Sequence, residues 1–301
     1  MRNLNFLFLR STILLFFLLN FFSEPLKTQE EILKIGAIPD QNQEILDKRF
    51  NLLSEELSKQ LNIKVKYVPV VSYVAAVTAF RTNSLDLVWF GGLSGVQARL
   101  QRPNSYVLAQ RDIDKKFKSV FITNKKLSIE RTNNINDLKL LTRYRFTFGS
   151  ENSTSGRLMP QYFLNIAGVK LTDFKGQTVG FSGSHDATIA LVNSGAYDVG
   201  VLNKQVWDRN FKENSKRVKN VSVFFITPSY VDYHWLAQGN LDQRFRNGFT
   251  NELKEVMLNL DTKNKTQKLI LEMFNAKKFI EATSEQFKSI EFIARKLKKI
   301  R

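Results

Sequence analysis

Apolar positions along the chain switch repeatedly between two spacings. Residues 32–38 form a nearly continuous apolar run that stops at Pro39 and Asp40, which reads as a buried strand ended by a turn. Residues 45–61 follow with Phe50, Leu52, Leu53, Leu57 and Leu61 at helical spacing. The switch recurs as a strand over 65–71, a helix over 75–82, a strand over 85–90 closed by Gly91 and Gly92, and a helix through Val96 and Leu100. Two β-rich runs, 118–124 and 222–227, read as crossovers. They bracket a second alternation: strand 145–148, helix 158–167, a strand near 178–181, helix 187–194 and strand 199–202. A strand at 233–237 and further helices complete the chain, and 279–300 reads as a basic amphipathic helix packed through Phe287, Ile290, Ile293 and Leu297.

Such alternation predicts an α/β fold of two lobes, each a mixed sheet flanked by helices. One lobe, residues 120–228, is inserted into another made of 32–119 and 229–301, with a cleft between them. Ligands in such sheets sit beyond the strand carboxyl ends. Glycine and hydroxyl residues collect at these ends: Gly91, Gly92 and Ser94; residues 150–156; Ser182, Gly183 and Ser184.

The densest of these clusters carries the candidate chemistry. After the strand ending at Phe148 and Gly149, residues Ser150, Asn152, Ser153, Thr154 and Ser155 lead to Gly156, where a helix begins. The first turn of a helix leaves backbone N–H groups free and carries partial positive charge, which suits phosphate, sulfate or carboxylate. The cluster therefore reads either as an anion cradle or as an ordinary helix cap.

Composition narrows the function. The 301 residues carry a net charge of +17, which fits nucleic acid, membrane surfaces or small anions as partners. Arg2 and Arg10 precede an apolar stretch over 11–22 with the length of a signal-peptide core, so 1–24 is expected to be a signal peptide, or an uncleaved anchor. Export argues against nucleic acid. The chain has no cysteine and two histidines, so no disulfide, thiolate nucleophile or metal centre is expected. No Walker lysine, dinucleotide fingerprint or isolated nucleophile elbow occurs, and neither catalysis nor a cofactor is expected.

Three segments together, 80–92, 148–162 and 180–207, resemble the substrate-binding component of phosphonate, phosphite and phosphate ABC importers, a group of type II periplasmic binding proteins. Within it they look most like a subgroup labelled as selenate importers. The resemblance implies a periplasmic, monomeric two-lobe protein that closes on a small tetrahedral oxyanion and passes it to a permease driven by an ATPase. Selenate or another sulfate-like anion, or ligand sensing for a receptor kinase, are the alternatives. In this family the oxyanion is held by hydroxyls matching Ser153, Thr154 and Ser155 with Gly156, by a histidine matching His185, by a first-lobe aromatic and by a second-lobe acid. Tyr73 and Asp208 are the matching candidates for the last two. The sequence departs from the phosphonate pattern where a tyrosine is replaced by Leu93, Ser94 and Gly95. His234, inside an aromatic run, reads as structural.

Overall fold

The computed structural model describes residues 31–213 and 216–300, so the expected signal peptide lies outside it. The first elements are β1 (Ile32–Ala37), α1 (Gln43–Leu61), β2 (Lys64–Tyr67), α2 (Tyr73–Arg81), β3 (Leu87–Phe90), α3 (Gly92–Gln101) and β4 (Tyr106–Arg111). Next come β5 (Ser119–Asn124), β6 (Phe146–Phe148), a π-helical turn (Thr154–Leu158), α4 (Met159–Ile166), β7 (Gly180–Phe181), α5 (His185–Ser194), β8 (Val199–Asn203), α6 (Lys204–Lys212) and β9 (Val221–Ile226). The last are β10 (His234–Ala237), α7 (Leu241–Arg244), α8 (Phe249–Leu258), α9 (Lys265–Met273), β11 (Phe279–Glu281) and α10 (Lys288–Lys296).

Two sheets result. One has the order β11-β4-β10-β3-β1-β2 and the other β7-β6-β8-β5-β9. β1 runs parallel to β2 and β3, while β10 is antiparallel to both β3 and β4. In the second sheet β6 runs parallel to β7 and β8, and β5 is antiparallel to β8 and β9. The central strands are buried throughout, which is why β3 reads Leu-Val-Trp-Phe with no polar alternation. Trp89, Phe50, Trp235 and Phe274 cluster edge to face between the first sheet and its helices.

Local signals start the helices. The Asn42 side chain accepts from Glu44 N–H at the head of α1, Ser72 from Ala75 N–H at α2, and Ser184 from Ala187 N–H at α5. Gly195 ends α5 at φ 79, in the left-handed region that favours glycine.

Three expectations need correction. The runs at 118–124 and 222–227 are not crossovers: they are β5 and β9, paired antiparallel inside the second sheet. The chain passes between sheets at 112–118 and 227–233 instead. There, Phe117 and Tyr230 exchange backbone hydrogen bonds of 2.7 and 2.9 Å. The expected helix over 279–300 begins with strand β11, which is only three residues long and pairs with β4, itself unforeseen. β11 is the edge strand of the first sheet and β4 its neighbour, and for both, pairing rather than local pattern defines the strand. No helix among the described residues is long and apolar enough to cross a membrane.

Candidate functional site

The hydroxyl cluster folds into a closed loop. Gly149 N–H donates to Gly156 O at 2.9 Å, and the Ser153 side chain accepts from Gly156 N–H at 2.9 Å, so Ser153 caps the π-helical turn. Gly156 is required sterically. A Cβ there would stand 3.0 Å from Ser153 Oγ, 3.2 Å from Gly149 Cα and 3.3 Å from His185 Cε1. Ser153, Thr154 and Ser155 are all buried.

The two remaining hydroxyls point to different tasks. Thr154 Oγ1 accepts from Leu93 N–H, at the head of α3, at 2.9 Å. Ser155 Oγ is buried with no hydrogen-bond partner, although its carbonyl accepts from Ser119 Oγ at 2.7 Å. Two further oxygens nearby share that condition: Tyr73 Oη and Asp232 Oδ2. Native interiors pair nearly all such groups. Tyr73 lies beside Ser153 and Asp232 beside Thr154, so three buried oxygens without a hydrogen-bond partner flank the start of the π-helical turn.

Asp232 comes from the second crossing and is completely buried. Its Oδ1 accepts from Gly92 N–H at 2.9 Å. Burial pushes its carboxyl up to about 7, against the opposing pull of Gly92 N–H and the Thr154 hydroxyl. Gly91 lets these groups come close: a Cβ would lie 3.2 Å from Thr154 Oγ1 and 3.3 Å from Asp232 Oδ1, so both would have to shift by a few tenths of an ångström to admit one. Burial likewise raises the Tyr73 phenol well above its usual range, and Asp40 and Asp232 add to the effect.

His185 opens α5 and is buried. Its backbone N–H donates to Asp40 O at 2.9 Å. Its Nδ1 accepts from Asn203 N–H at 3.4 Å, and Nε2 lies 3.4 Å from Tyr233 Oη, which in turn donates to Asp40 Oδ2 at 2.8 Å. With Nδ1 accepting and the Tyr233 hydroxyl committed to Asp40, the proton belongs on Nε2. Burial holds the ring below its usual pKa, hence neutral. Arg157, just past the cradle, is buried with its guanidinium 4.2 Å over the Phe148 ring.

The structure brings Tyr73, Ser153, Thr154, Ser155, Gly156 and His185 to this region. Asp208 stands apart, on α6, with its half-exposed side chain paired to Lys204. Asp40, Asp232 and Tyr233 were not foreseen. Asp40 reads as a turn residue and Tyr233 as the start of a strand, and the sequence gives Asp232 no role of its own. The available signal was one acid set among five aromatic or apolar neighbours over 230–236. His234 is structural as expected, buried against Phe287 at 4.1 Å between ring centroids. Among the described residues no group of three acidic or histidine side chains could hold a metal ion.

A family model for the periplasmic substrate-binding protein of the phosphonate ABC transporter matches residues 35–287. A Prochlorococcus marinus (strain MIT 9301) protein, named "Probable ABC transporter phosphite binding protein PhnD1", is 67% identical over 294 residues, covering 98% of each chain. The structure of PhnD1 from that organism in complex with methylphosphonate superposes with a TM-score of 0.89 at 69% identity, over 89% of this chain and 99% of that one. The phosphonates-binding periplasmic protein of Escherichia coli (strain K12) is 31% identical over 206 residues, 66% of this chain and 59% of its own.

Proposed function

The chain belongs to the periplasmic substrate-binding proteins of phosphonate ABC transporters, and on that premise we propose that the pocket around Ser155, Tyr73 and Asp232 holds a phosphite or methylphosphonate ion. It is the substrate-binding component of such an importer and works with a permease and an ATPase. The family implies a periplasmic location. The similarity to phosphite- and methylphosphonate-binding relatives favours these ligands over selenate and favours import over sensing.

The observation that carries the reading is the set of three buried, unpartnered oxygens beside the Ser153-capped turn. Ser155 and Tyr73 donate hydroxyl hydrogens to the anion, and backbone N–H groups of the first turn face the same charge. Asp232 supplies the selectivity. Phosphite and methylphosphonate monoanions keep a P–OH, so one proton is shared between a ligand oxygen and an Asp232 oxygen. Sulfate and selenate bring no proton, and an ionised Asp232 repels them. His185 keeps Tyr233 and Asn203 in place and offers its Nε2–H to the ligand if Tyr233 yields.

Asp208 is set aside for this role. The residues 32–119 with 229–301 and 120–228 act as two lobes that close on the ligand by bending at 112–118 and 227–233. The protein acts as a single chain, and its net charge of +17 speeds capture of anions at low salt.

Calorimetry at pH 7, where phosphite and methylphosphonate still keep part of their P–OH and Asp232 is partly ionised, with phosphite, methylphosphonate, sulfate and selenate is the decisive test. Phosphite and methylphosphonate are expected to bind at least tenfold more tightly than the other two. Sulfate or selenate binding as tightly as methylphosphonate would remove Asp232 from the reading.

A further inference from the structure

Tyr233 and Asp40 also line a second cavity of about 470 Å³, to which none of the cradle hydroxyls contributes. Its size falls in the range of small-molecule sites, roughly 300 to 1,000 Å³. Side chains of both sheets' helices form its walls, with Arg49 from α1 on one side and Gln205 and Arg209 from α6 on the other.

Four polar atoms on these walls are buried with no hydrogen-bond partner: Asp40 Oδ1, Gln205 Oε1, Arg49 Nε and Arg209 Nη2. Two are acceptors and two are donors. Asp40 and Arg49 are only 2% and 4% exposed, so water meets neither charge freely. Arg49 lies 5.3 Å from the Phe274 ring centroid, and Arg209 Nη2 is 4.0 Å from the nearest carboxylate oxygen, on Asp186. Asp40 already accepts from Tyr233 through Oδ2, and Arg209 donates from Nη1 to Gln41 Oε1 at 2.6 Å, so each group is half satisfied and its second polar atom is left for a ligand to complete. The other carboxylates of the wall are occupied or peripheral: Asp208 is paired with Lys204, and Glu213 and Glu272 are exposed at the rim.

The geometry points to a site for a small zwitterion, its carboxylate on Arg49 and Arg209 and its ammonium on Asp40 and Gln205. A simple anion would leave both acceptors unpaired and face the Asp40 carboxylate. A simple cation would do the same to the two guanidinium groups. An amino acid with a short side chain carries both a carboxylate for the two donors and an ammonium for the two acceptors. Because the walls come from both sides of the cleft, the zwitterion also bridges them.

Norvaline, pentanoate and butylammonium share one hydrocarbon body and separate the two charges. Titrated into the whole protein by calorimetry, norvaline is expected to bind, with each half-ligand at least tenfold weaker. Arg49→Gln and Arg209→Gln should each weaken norvaline at least tenfold while leaving methylphosphonate affinity within threefold. Arg209 is the more exposed of the two, so its variant folds even if the buried replacement does not. Absence of norvaline binding at millimolar concentration overturns the proposal, as does pentanoate binding as tightly as norvaline or norvaline affinity unchanged in Arg209→Gln. The cradle reading stands or falls separately, on the methylphosphonate titration of the unaltered protein.

Discussion

The Thr154 hydroxyl accepts the backbone N–H of Leu93 at 2.9 Å and thereby links the cradle of the second sheet to the first helix turn beyond β3 of the other. One side chain of the proposed anion site thus also makes a contact between sheets. Thr154→Ala is expected to weaken methylphosphonate binding by roughly ten- to a hundredfold, since hydrogen bonds to charged groups contribute about 1.5 to 3 kcal/mol each. Calorimetry measures this, and an affinity within twofold of the unaltered protein would show that Thr154 serves only the interface.

Ser155 predicts two effects of opposite sign. Its hydroxyl is buried without a hydrogen-bond partner, so Ser155→Ala relieves a desolvated group and leaves the ligand-free melting temperature equal or higher. The same change removes a donor to the anion and should cost about tenfold in affinity. A lower melting temperature without ligand would mean that the hydroxyl already has a structural partner.

Asp232 makes stability depend on pH. Its folded carboxyl sits at about 7 against an ordinary 3.8, so the folded chain retains a proton that the unfolded chain releases between these values. That contribution is full below 3.8 and is lost as pH rises towards 7, by an amount of the order of 4 kcal/mol. Asp232→Asn should flatten this part of the profile and bring sulfate binding at pH 7 closer to that of methylphosphonate. Denaturant titrations across pH check the slope, and an unchanged slope would assign the titration to another group.

His185 carries the opposite sign. Its folded pKa is depressed by burial, so the neutral ring contributes stability above the usual histidine value of 6.5 that is lost as pH falls through the folded value. His185→Leu should remove this acid sensitivity and weaken methylphosphonate by about tenfold, whereas His185→Gln, which keeps a donor, should bind more tightly than Leu. Equal affinities for both variants and the unaltered chain would place His185 outside the ligand contacts.

Most of the architecture was legible because buried strands and amphipathic helices leave distinct periods, as over 45–61 and 85–90. The capped hydroxyl loop was legible because hydroxyls, Gly156 and a helix start are contiguous. Asp232 was not, because its role comes from Gly92 and Thr154, which lie 140 and 78 positions away in sequence. Strand β11 was hidden for the same reason: three residues acquire strand character only by pairing with Arg111, Gln110 and Ala109. Asp208 stood where a second-lobe acid was sought, yet helix α6 gives it Lys204 one turn away.

Small-angle scattering should register closure, with a smaller radius of gyration at saturating methylphosphonate than without it. Superimposable profiles would exclude bending at 112–118 and 227–233.

The paired backbones of Phe117 and Tyr230 make the two crossings a single ribbon, and Asp232 lies on that ribbon, its own N–H bonded to Asp114 O at 3.1 Å. A ribbon flexes across its flat face and resists shear in its plane, so the movement has one arc. Asp232, proposed to share a proton with the ligand, lies on the same ribbon as the proposed hinge. On the proposed closure, a change of charge at Asp232 acts on the hinge itself, with no relay of intervening side chains.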